Sequence, residues 1–337
     1  MGSVRLLILY LLPLLMFLEL GMSTSNDDGW TQFKIKYKKR YNTEEDNCHR
    51  KIYNTKLRAI RAHNRLYLQG KVSYWMRLNE FSDSDHNLLF SYRRMVPPPL
   101  ERSTIGVVKP PNYKTYNQIR GGRDWRKFGI ISPVGTQGHE CLSCWAFSTT
   151  GVLEAHLARR TRRLVPLSPK HLMDCVPKPN EGCRGGWVSV AFNYTRTHGI
   201  ATLSSYPYEP KAERCRQDLA YNGGFLRGHV TLNKRCEREL AEVVYNVGPV
   251  AVSIHSLHQD FEEYGGGVLR IPDCPSDKID LTHSVLVVGF DTDPTWGDYW
   301  LIKNSYGKSW GESGYFRLAR NAGNMCGVAS LPQYPIV

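Results

Sequence analysis

The sequence predicts an α+β protein with helices first and strands after, and three observations carry that reading. Residues 144–220 hold helix signals and few strand signals: the run opening at Cys144 and reaching residue 158, the stretch around Pro169 to Cys175, and Gly186 to Thr197. Residues 225–337 are the opposite. Gly248 to Ile254, Ser284 to Phe290, Tyr299 to Lys303 and Gly314 to Leu318 are short β-branched or aromatic runs bounded by Gly, Pro, Asn and Asp. Ahead of both, residues 24–95 carry apolar stripes at helical spacing but too little material for a core of their own. A helical half followed by a β-rich half places a natural site in the cleft between them.

At the amino terminus Arg5 precedes an apolar run, Leu6 to Phe17, followed by small residues at Gly21 and Ser23. This is the layout of a secretory signal peptide over residues 1–23. The run is shorter than the roughly 20 residues of a spanning helix, and no later stretch is long enough to span. The chain is expected to be soluble and to enter the secretory route.

Trp30, Phe33, Tyr37 and Tyr41 then recur at helical spacing, and a longer helix is predicted from Glu44 to Tyr67, with Ile52, Tyr53, Leu57 and Ile60 on one side. Leu78 to Phe81 reads as a short strand or turn, and another short helix is expected from Asp83 to Arg94. These stripes should pack on something else. Residues 95–122 read as a linker, punctuated by Pro97-Pro98-Pro99, Pro110-Pro111 and Gly121-Gly122. Such exposed connections are preferred sites of proteolytic nicking.

The formal charge of +13 is unevenly spread. Residues 24–115 carry 18 Lys and Arg against 9 Asp and Glu, whereas residues 116–337 carry 25 against 21. Lys34, Lys36, Lys38, Lys39 and Arg40 are the densest run. No zinc-finger, RNA-recognition or basic-zipper pattern accompanies it, so no nucleic-acid partner is expected. A solvated helix face is the reading favoured, ahead of contact with glycosaminoglycan or another acidic surface.

Nine cysteines stand at 48, 141, 144, 175, 183, 215, 236, 274 and 326. In an exported chain disulfides are expected, and an odd total leaves at least one thiol unpaired. Cys144 opens the first apolar run of the helical half. At a helix start, unpaired N–H groups and the macrodipole favour an anion, which lowers a thiol's pKa and makes it a nucleophile. Such a nucleophile needs a base and a group that orients the base. His283 stands at the start of one apolar strand and Asn304 at the end of another, among aromatics that would shield a Cys–His–Asn chain from water. His139, His156, His171, His198, His255 and His258 are read as structural or exposed. The pair Cys141-x-x-Cys144 also admits a redox motif, or half of a zinc site with Cys175 and Cys183. A zinc site would normally repeat the tight pair, and a redox pair would follow a thioredoxin-like strand.

Taken together, these residues resemble the papain-like cysteine peptidases in their cathepsin L-like form, over almost the whole chain. The family's nucleophile signature, C-G-[SA]-C-[WY], stands here as Cys141-Leu142-Ser143-Cys144-Trp145. His283 follows Cys144 by 139 residues and Asn304 follows it by 160. Asp124-Trp125-Arg126, Gly182-Cys183-Arg184-Gly185-Gly186, Tyr206-Pro207-Tyr208 and Trp310-Gly311-Glu312-Ser313-Gly314-Tyr315 occur in the family's order. The amino-terminal segment resembles the family's inhibitory propeptide. The pattern E-x3-R-x3-F-x2-N-x3-I-x3-N reads here Glu45, His49, Tyr53, Lys56, Ile60 and Asn64, and Asn79-Glu80-Phe81-Ser82-Asp83 resembles its N-x-F-x-D element.

The resemblance implies a two-lobed papain-like fold, with a helical left lobe and a β-barrel-like right lobe, behind a mainly helical propeptide. Its divisions would be a signal peptide at 1–23, an inhibitory propeptide at 24–95, a linker with the maturation site at 96–118, and a peptidase domain at 119–337. It implies Cys144 as nucleophile, His283 as general acid/base, Asn304 as its orienter and Gln137 as oxyanion donor. It pairs Cys141 with Cys183, Cys175 with Cys215 and Cys274 with Cys326, leaving Cys48, Cys144 and Cys236 unpaired. Gly185 and Gly186 would hydrogen-bond an extended substrate. Trp187, Val188, Ser284 and Leu331 would line an apolar pocket for the residue two before the cut, favouring Leu, Val or Phe over Arg.

The expected protein is an endopeptidase precursor of the lysosome or the extracellular space. It would act as a monomer without metal or cofactor, on protein or peptide substrates, with its own propeptide and cystatin-like proteins as inhibitors. Acid would activate it by protonating Glu80, Asp83 and their neighbours. The rival expectation is a catalytically weak homologue that acts as an extracellular binding protein. Asn193-Tyr194-Thr195 is a glycosylation sequon on a predicted helix. Four departures stand out: one extra residue at His139-Glu140, Leu142 for a glycine, Tyr306 for a tryptophan, and Thr282 for Asp or Asn. They bear on efficiency and specificity rather than on reaction type.

Overall fold

The structure, a computed structural model, describes residues 26–84, 106–216, 222–277 and 280–337. The signal peptide expected at residues 1–23, nearly all of the helix expected from Asp83 to Arg94, and the expected linker up to residue 105 lie outside the described residues. The chain divides into two compact units, residues 1–58 and 59–337.

In the first unit, helix α1 (Asn26–Tyr37) precedes helix α2 (Thr43–Leu68). The aromatic spacing read from the sequence closes a small cluster here: Trp30 stacks on Phe33 at 5.6 Å and on Tyr41 at 6.2 Å, with Tyr53 tilted against both Trp30 and Phe33. Asn42 caps α2, accepting from the Glu44 and Glu45 N–H groups at 3.0 Å, while Glu45 Oε2 accepts in return from the Asn42 N–H. This reciprocal box satisfies donors that a bare helix start leaves open.

The second unit is built on one buried helix and one sheet. Helix α3 (Cys144–Thr161) is buried along most of its length, with Trp145, Ala146, Val152, Leu153 and Ala155 fully enclosed. Helices α4 (Pro169–Cys175) and α5 (Val188–His198) pack on it. Ser168 caps α4 by accepting from the His171 N–H at 3.0 Å, and Pro169 supplies the first-turn residue whose missing N–H costs nothing.

The strands are β1 (Tyr74–Met76), β2 (Arg123–Asp124), β3 (Gly228–Thr231), β4 (Val250–Ile254), β5 (Tyr264–Leu269), β6 (His283–Asp293), β7 (Gly297–Lys303), β8 (Tyr315–Ala319) and β9 (Gln333–Ile336). They join in the order β1-β5-β8-β7-β6-β4-β9-β3, with β2 on β6, and only the β5–β8 pair is parallel. Helix α6 (Glu237–Asn246) and the single turn α7 (Gln259–Glu262) complete the elements used below.

The four runs read as strands correspond to β4, β6, β7 and β8 with ends moved by a few residues. The expected strand or turn at Leu78 to Phe81 is a turn, closed by Ser82 N–H donating to the Asn79 carbonyl and Ser84 N–H to that of Phe81. The strand β1 lies just before it. Strands β1, β2, β3, β5 and β9 were not read from the sequence, and for β5 the reason is local. The start of β5 is Tyr264-Gly265-Gly266-Gly267, and glycine has low strand propensity. Those glycines make room: a Cβ on Gly265 would stand 2.3 Å from the Trp75 ring, and one on Gly266 2.8 Å from it.

Three disulfides tie the unit together: Cys141–Cys183, Cys175–Cys215 and Cys274–Cys326. Cys48, Cys144 and Cys236 are free thiols.

Candidate active site

Two antiparallel strands build the first half of the site. His283 opens β6 and Asn304 directly follows the last residue of β7, so the pairing of those strands brings both side chains to one end of the sheet. His283 Nε2 lies 2.8 Å from Asn304 Oδ1, and both residues are buried. Asn304 Oδ1 also accepts from the Ser305 N–H at 2.8 Å, which holds the amide in this orientation. The Asn304 oxygen can only accept, so Nε2 carries the proton and Nδ1 is the basic nitrogen. His283 Nδ1 is buried without a hydrogen-bond partner.

The second half is the start of α3. Cys144 is a buried free thiol that the backbone of Ser284 contacts by a hydrogen bond, next in sequence to the histidine. Helix and strand are held together nearby by Ser148 Oγ donating to the Val285 carbonyl at 2.8 Å. Burial pushes the Cys144 thiol up to about 11, against backbone hydrogen bonds from Ser284, Trp145 and Cys144 itself that favour the thiolate. Burial also pushes the His283 imidazole down to about 4, against the Asn304 bond that favours the cation. Water exclusion therefore favours the neutral form of each group.

The aromatic cover over His283 is Tyr306, with ring centroids 4.9 Å apart, and behind it Phe261 and Trp310. Two of the departures noted in the sequence meet at Ser256. Thr282 Oγ1 lies 3.1 Å from Ser256 Oγ and accepts from the Ser256 N–H at 3.0 Å, while the Tyr306 hydroxyl also bonds Ser256. Tyr306 thus exchanges a tryptophan's bulk for a polar anchor shared with Thr282.

Gln137, expected from the resemblance to be an oxyanion donor, is buried and held from four directions. Its N–H donates to the Ser305 carbonyl at 2.8 Å, its carbonyl accepts from Tyr208 Oη at 2.8 Å, and its Oε1 accepts from Ser305 Oγ at 2.7 Å. Its Nε2 donates to the Cys141 carbonyl at 3.0 Å. A primary amide has a second N–H, so one donor remains for a substrate. The extra residue is absorbed in the bend 138–140, where Gly138 adopts φ 81° and its missing Cβ keeps Pro210 clear. Tyr208 Oη also meets Ser143 Oγ at 2.8 Å, which ties this loop to the residue before the thiol. Ser305 and Tyr208 hold Gln137 in place, and sequence reasoning gave neither of them that part, quoting Tyr208 only within the motif Tyr206-Pro207-Tyr208.

Gly186 passes so close to Trp145 that a Cβ would lie 2.7 Å from its ring, and Gly185 has φ 117°, where side chains are strained. Trp187 is clamped by Asn180, which accepts its N–H at 2.8 Å and donates to its carbonyl at 3.1 Å. Trp187 and Leu331 form a small apolar cluster together with Leu281, which the sequence reading missed. Val188 does not join it. As the first residue of α5 it turns inward and packs in the main core, and Ser284 is likewise buried, with Oγ 3.2 Å from Ser253 Oγ. Asn193 is half-buried on α5, and the sequon's Thr195 is fully buried, its hydroxyl donating to the Ala191 carbonyl at 2.8 Å. Cys141 is taken up in its disulfide, so Cys141 and Cys144 are not a dithiol pair.

The segment 74–83 binds beside this site within the same unit. Strand β1 pairs with β5 and is pinned to the end of α2 by Asn64, which both accepts from the Met76 N–H and donates to its carbonyl at 2.8 Å. Asn79 is buried and donates to the Glu262 carbonyl at 2.7 Å, and Ser82 Oγ donates to Glu263 Oε2 at 2.5 Å. Phe81 packs on both Tyr306 and the inserted His139, with ring centroids 5.1 and 4.7 Å away, while Glu80 Oε2 lies 3.2 Å from His139 Nε2. His139, read from the sequence as structural or exposed, is a contact for this segment.

Comparison with known proteins identifies the family. The model of the papain family cysteine proteases matches residues 121–336, and that of the cathepsin propeptide inhibitor domain matches residues 30–87. The chain is 40% identical over 321 residues to cathepsin L of Sarcophaga peregrina, covering 92% of this chain and 93% of that one. It is 38% identical over 343 residues to cathepsin L1 of Drosophila melanogaster, covering 97% and 91%. Among solved structures, digestive procathepsin L 3 of Tenebrio molitor larval midgut aligns with a TM-score of 0.81 at 36% identity, covering 94% of this chain and all of the other. The chain belongs to the papain family of cysteine proteases and is built as a precursor, with the family's propeptide inhibitor domain ahead of the protease domain.

Proposed function

We propose that the protein is an endopeptidase that cuts peptide bonds through Cys144, His283 and Asn304, with Gln137 and the Cys144 N–H receiving the oxyanion. The observation that carries this reading is the 2.8 Å bond from His283 to Asn304, which leaves the buried Nδ1 free to take the thiol proton. In the first step Cys144 Sγ bonds to the carbonyl carbon as its proton passes to His283 Nδ1. The tetrahedral intermediate collapses with cleavage of the C–N bond, and the proton moves from Nδ1 to the leaving amine. Water, deprotonated by the same nitrogen, then releases the acyl group from sulfur. Burial is the first cause of both opposing pKa shifts, so opening the site to water favours the thiolate–imidazolium pair.

Trp187, Leu281 and Leu331 supply the apolar wall for the residue two before the cut, which supports a preference for Leu, Val or Phe there. The propeptide holds the enzyme inactive until acid releases it in the lysosome or outside the cell. Protein and peptide chains are its substrates, cystatin-like proteins its external inhibitors, and it acts as a monomer. Among the described residues no helix is long and apolar enough to cross a membrane. A second reading, a weak enzyme acting by binding, draws on one observation: one N–H of the Gln137 amide is already committed to the Cys141 carbonyl.

The deciding experiment incubates the purified precursor in acid and then adds an epoxide thiol probe and paired fluorogenic peptides bearing Leu or Arg two before the cut. Labelling of wild type but not of Cys144→Ala, with faster cleavage of the Leu peptide, is the expected result. Wild type that neither labels nor cleaves would leave the binding reading in its place.

A further inference from the structure

The sequence reads residues 95–122 as an exposed linker, but from Val107 onward the chain is fastened to the protease domain. Every third residue, Val107, Pro110, Tyr113, Tyr116 and Ile119, is half-buried, and the two residues between each pair are exposed. A repeat of three is that of an extended chain laying one face on a surface. Val107, Tyr113, Tyr116 and Ile119 pack against the main core.

The backbone is held as well as the side chains. Two residues four apart on α6, and so on one face of it, do most of this. Glu242 accepts the Tyr116 N–H on Oε1 at 2.7 Å and the Tyr113 hydroxyl on Oε2 at 3.1 Å. Asn246 accepts the Lys114 N–H on Oδ1 and donates from Nδ2 to the Lys114 carbonyl, both at 2.8 Å. Upstream, the Val108 N–H donates to Tyr334 Oη on β9 at 3.1 Å. Downstream, Asn321 Nδ2 donates to Tyr116 Oη at 3.0 Å, and Arg238 donates to Asn117 Oδ1 at 3.1 Å. The strap therefore ties α6 to β9 and to the turn after β8.

Proteolysis needs the opposite arrangement. A peptidase cuts a chain that is drawn away from the protein, so a segment with a bonded backbone must open before it is cut. Pro110 and Pro111 restrict the free segment and so lower the entropy lost when it docks. We propose that proteolytic maturation stops at this strap. The new amino terminus is made before Val107, and residues 107–118 stay in the mature enzyme, clamped by Glu242 and Asn246. The cut consumes one water, whose oxygen completes the new carboxylate and whose two protons pass to the new amino group. This narrows the maturation site expected at 96–118, and it goes beyond the catalytic reading without resting on it.

The test processes the full-length precursor in acid and, in parallel, cuts the Cys144→Ala precursor with added papain. A failure of self-processing is thereby told apart from a failure of the strap. Intact mass and amino-terminal sequencing of the end product should place the terminus before or at Val107 in both arms. In the double variant Glu242→Ala, Asn246→Ala, cleavage between Tyr113 and Ile119 should rise on the order of 100-fold, because cleavage follows the open population. Alanine is the best helix former, so α6 should persist and thermal melts check that it does. A wild-type terminus at any residue after Val107 would overturn the proposal. So would a double variant that melts like wild type and still ends before Val107. Hydrogen exchange of the processed wild type gives a reading that needs no variant: the Lys114 and Tyr116 amides should be protected, and exchange at free-peptide rates would overturn the proposal too.

Discussion

His283 Nε2 and Asn304 Oδ1 stand 2.8 Å apart at adjoining ends of β6 and β7, beneath the ring of Tyr306. The bond sets the tautomer of the base, and the sheet sets its direction. Asn304→Ala removes the bond while leaving Cys144 in place. It should lower kcat on the order of 100-fold with KM little changed, the size of effect expected from a misaimed catalytic group. Steady-state kinetics of the acid-processed enzyme would check this, and a kcat within about twofold of wild type would contradict the orienting role.

Gly265→Ala separates precursor from mature enzyme. The added methyl falls 2.3 Å from the Trp75 ring, which lies in the segment upstream of the maturation linker. Displacing that ring should cost about 2 kcal/mol of docking, typical of overpacking. Thermal melts should show a lower Tm for the precursor and little change for the processed enzyme. An equal loss in both forms would mean that β5 itself, rather than its fit to β1, is sensitive.

The turn 79–83 gives a graded pair of variants. Asn79 is buried, and its amide donates to the Glu262 carbonyl, so Asn79→Ala strands an acceptor at a cost of about 1–3 kcal/mol. Glu80 and His139 are partly exposed, and an ion pair of that kind contributes about 0.2–1 kcal/mol. Acid processing followed by gel should therefore be much faster in Asn79→Ala and only slightly faster in Glu80→Gln. The reverse order would shift the weight of docking to the inserted histidine.

Acid should also loosen the folded domain through buried histidines, His156 and His171 being the two outside the candidate site. Burial holds His156 at about 4, with Nε2 2.9 Å from the Pro249 carbonyl, and holds His171 at about 4, its Nδ1 accepting from the Ala201 N–H at 3.1 Å. Both folded values lie below the ordinary 6.5, so as pH falls the unfolded chain takes up these protons first. Their contribution is whole above pH 6.5 and is lost as pH falls from there through about 4. Urea melts should show a loss of roughly 2 kcal/mol per histidine between pH 7 and pH 4.5. His171→Asn should flatten that slope, and a slope unchanged by the substitution would assign it to other groups.

Much of the site was legible in the sequence because its parts are local. Cys144 announces itself by opening an apolar run, His283 and Asn304 by flanking apolar strands, and the propeptide by stripes with no core of their own. Strand β5 was not legible, because a Gly-Gly-Gly run signals a loop until the Trp75 ring that fills its space is known. Leu281, Ser256, Tyr208 and Ser305 were not legible either. Each acts through a partner far away in the chain: Leu281 through Trp187, Ser256 through Tyr306, Tyr208 through Gln137 and Ser143, and Ser305 through Gln137.

By itself, then, the sequence determined the order of helices and strands, which thiol, histidine and asparagine are the candidates for the proposed site, and the presence of a segment that must dock elsewhere. Periodicity, glycine and proline punctuation and residue chemistry suffice for those. Tertiary structure alone decided where the extra residue at 138–140 is absorbed, which donor Gln137 keeps, and that Val188 faces the core while Leu281 faces Trp187. It also decided that Arg123, unremarkable in the chain, lies across three aromatic rings beside the arginines that end α3. Burial and the pairing of distant strands set these features, and neither is a property of any short stretch of residues.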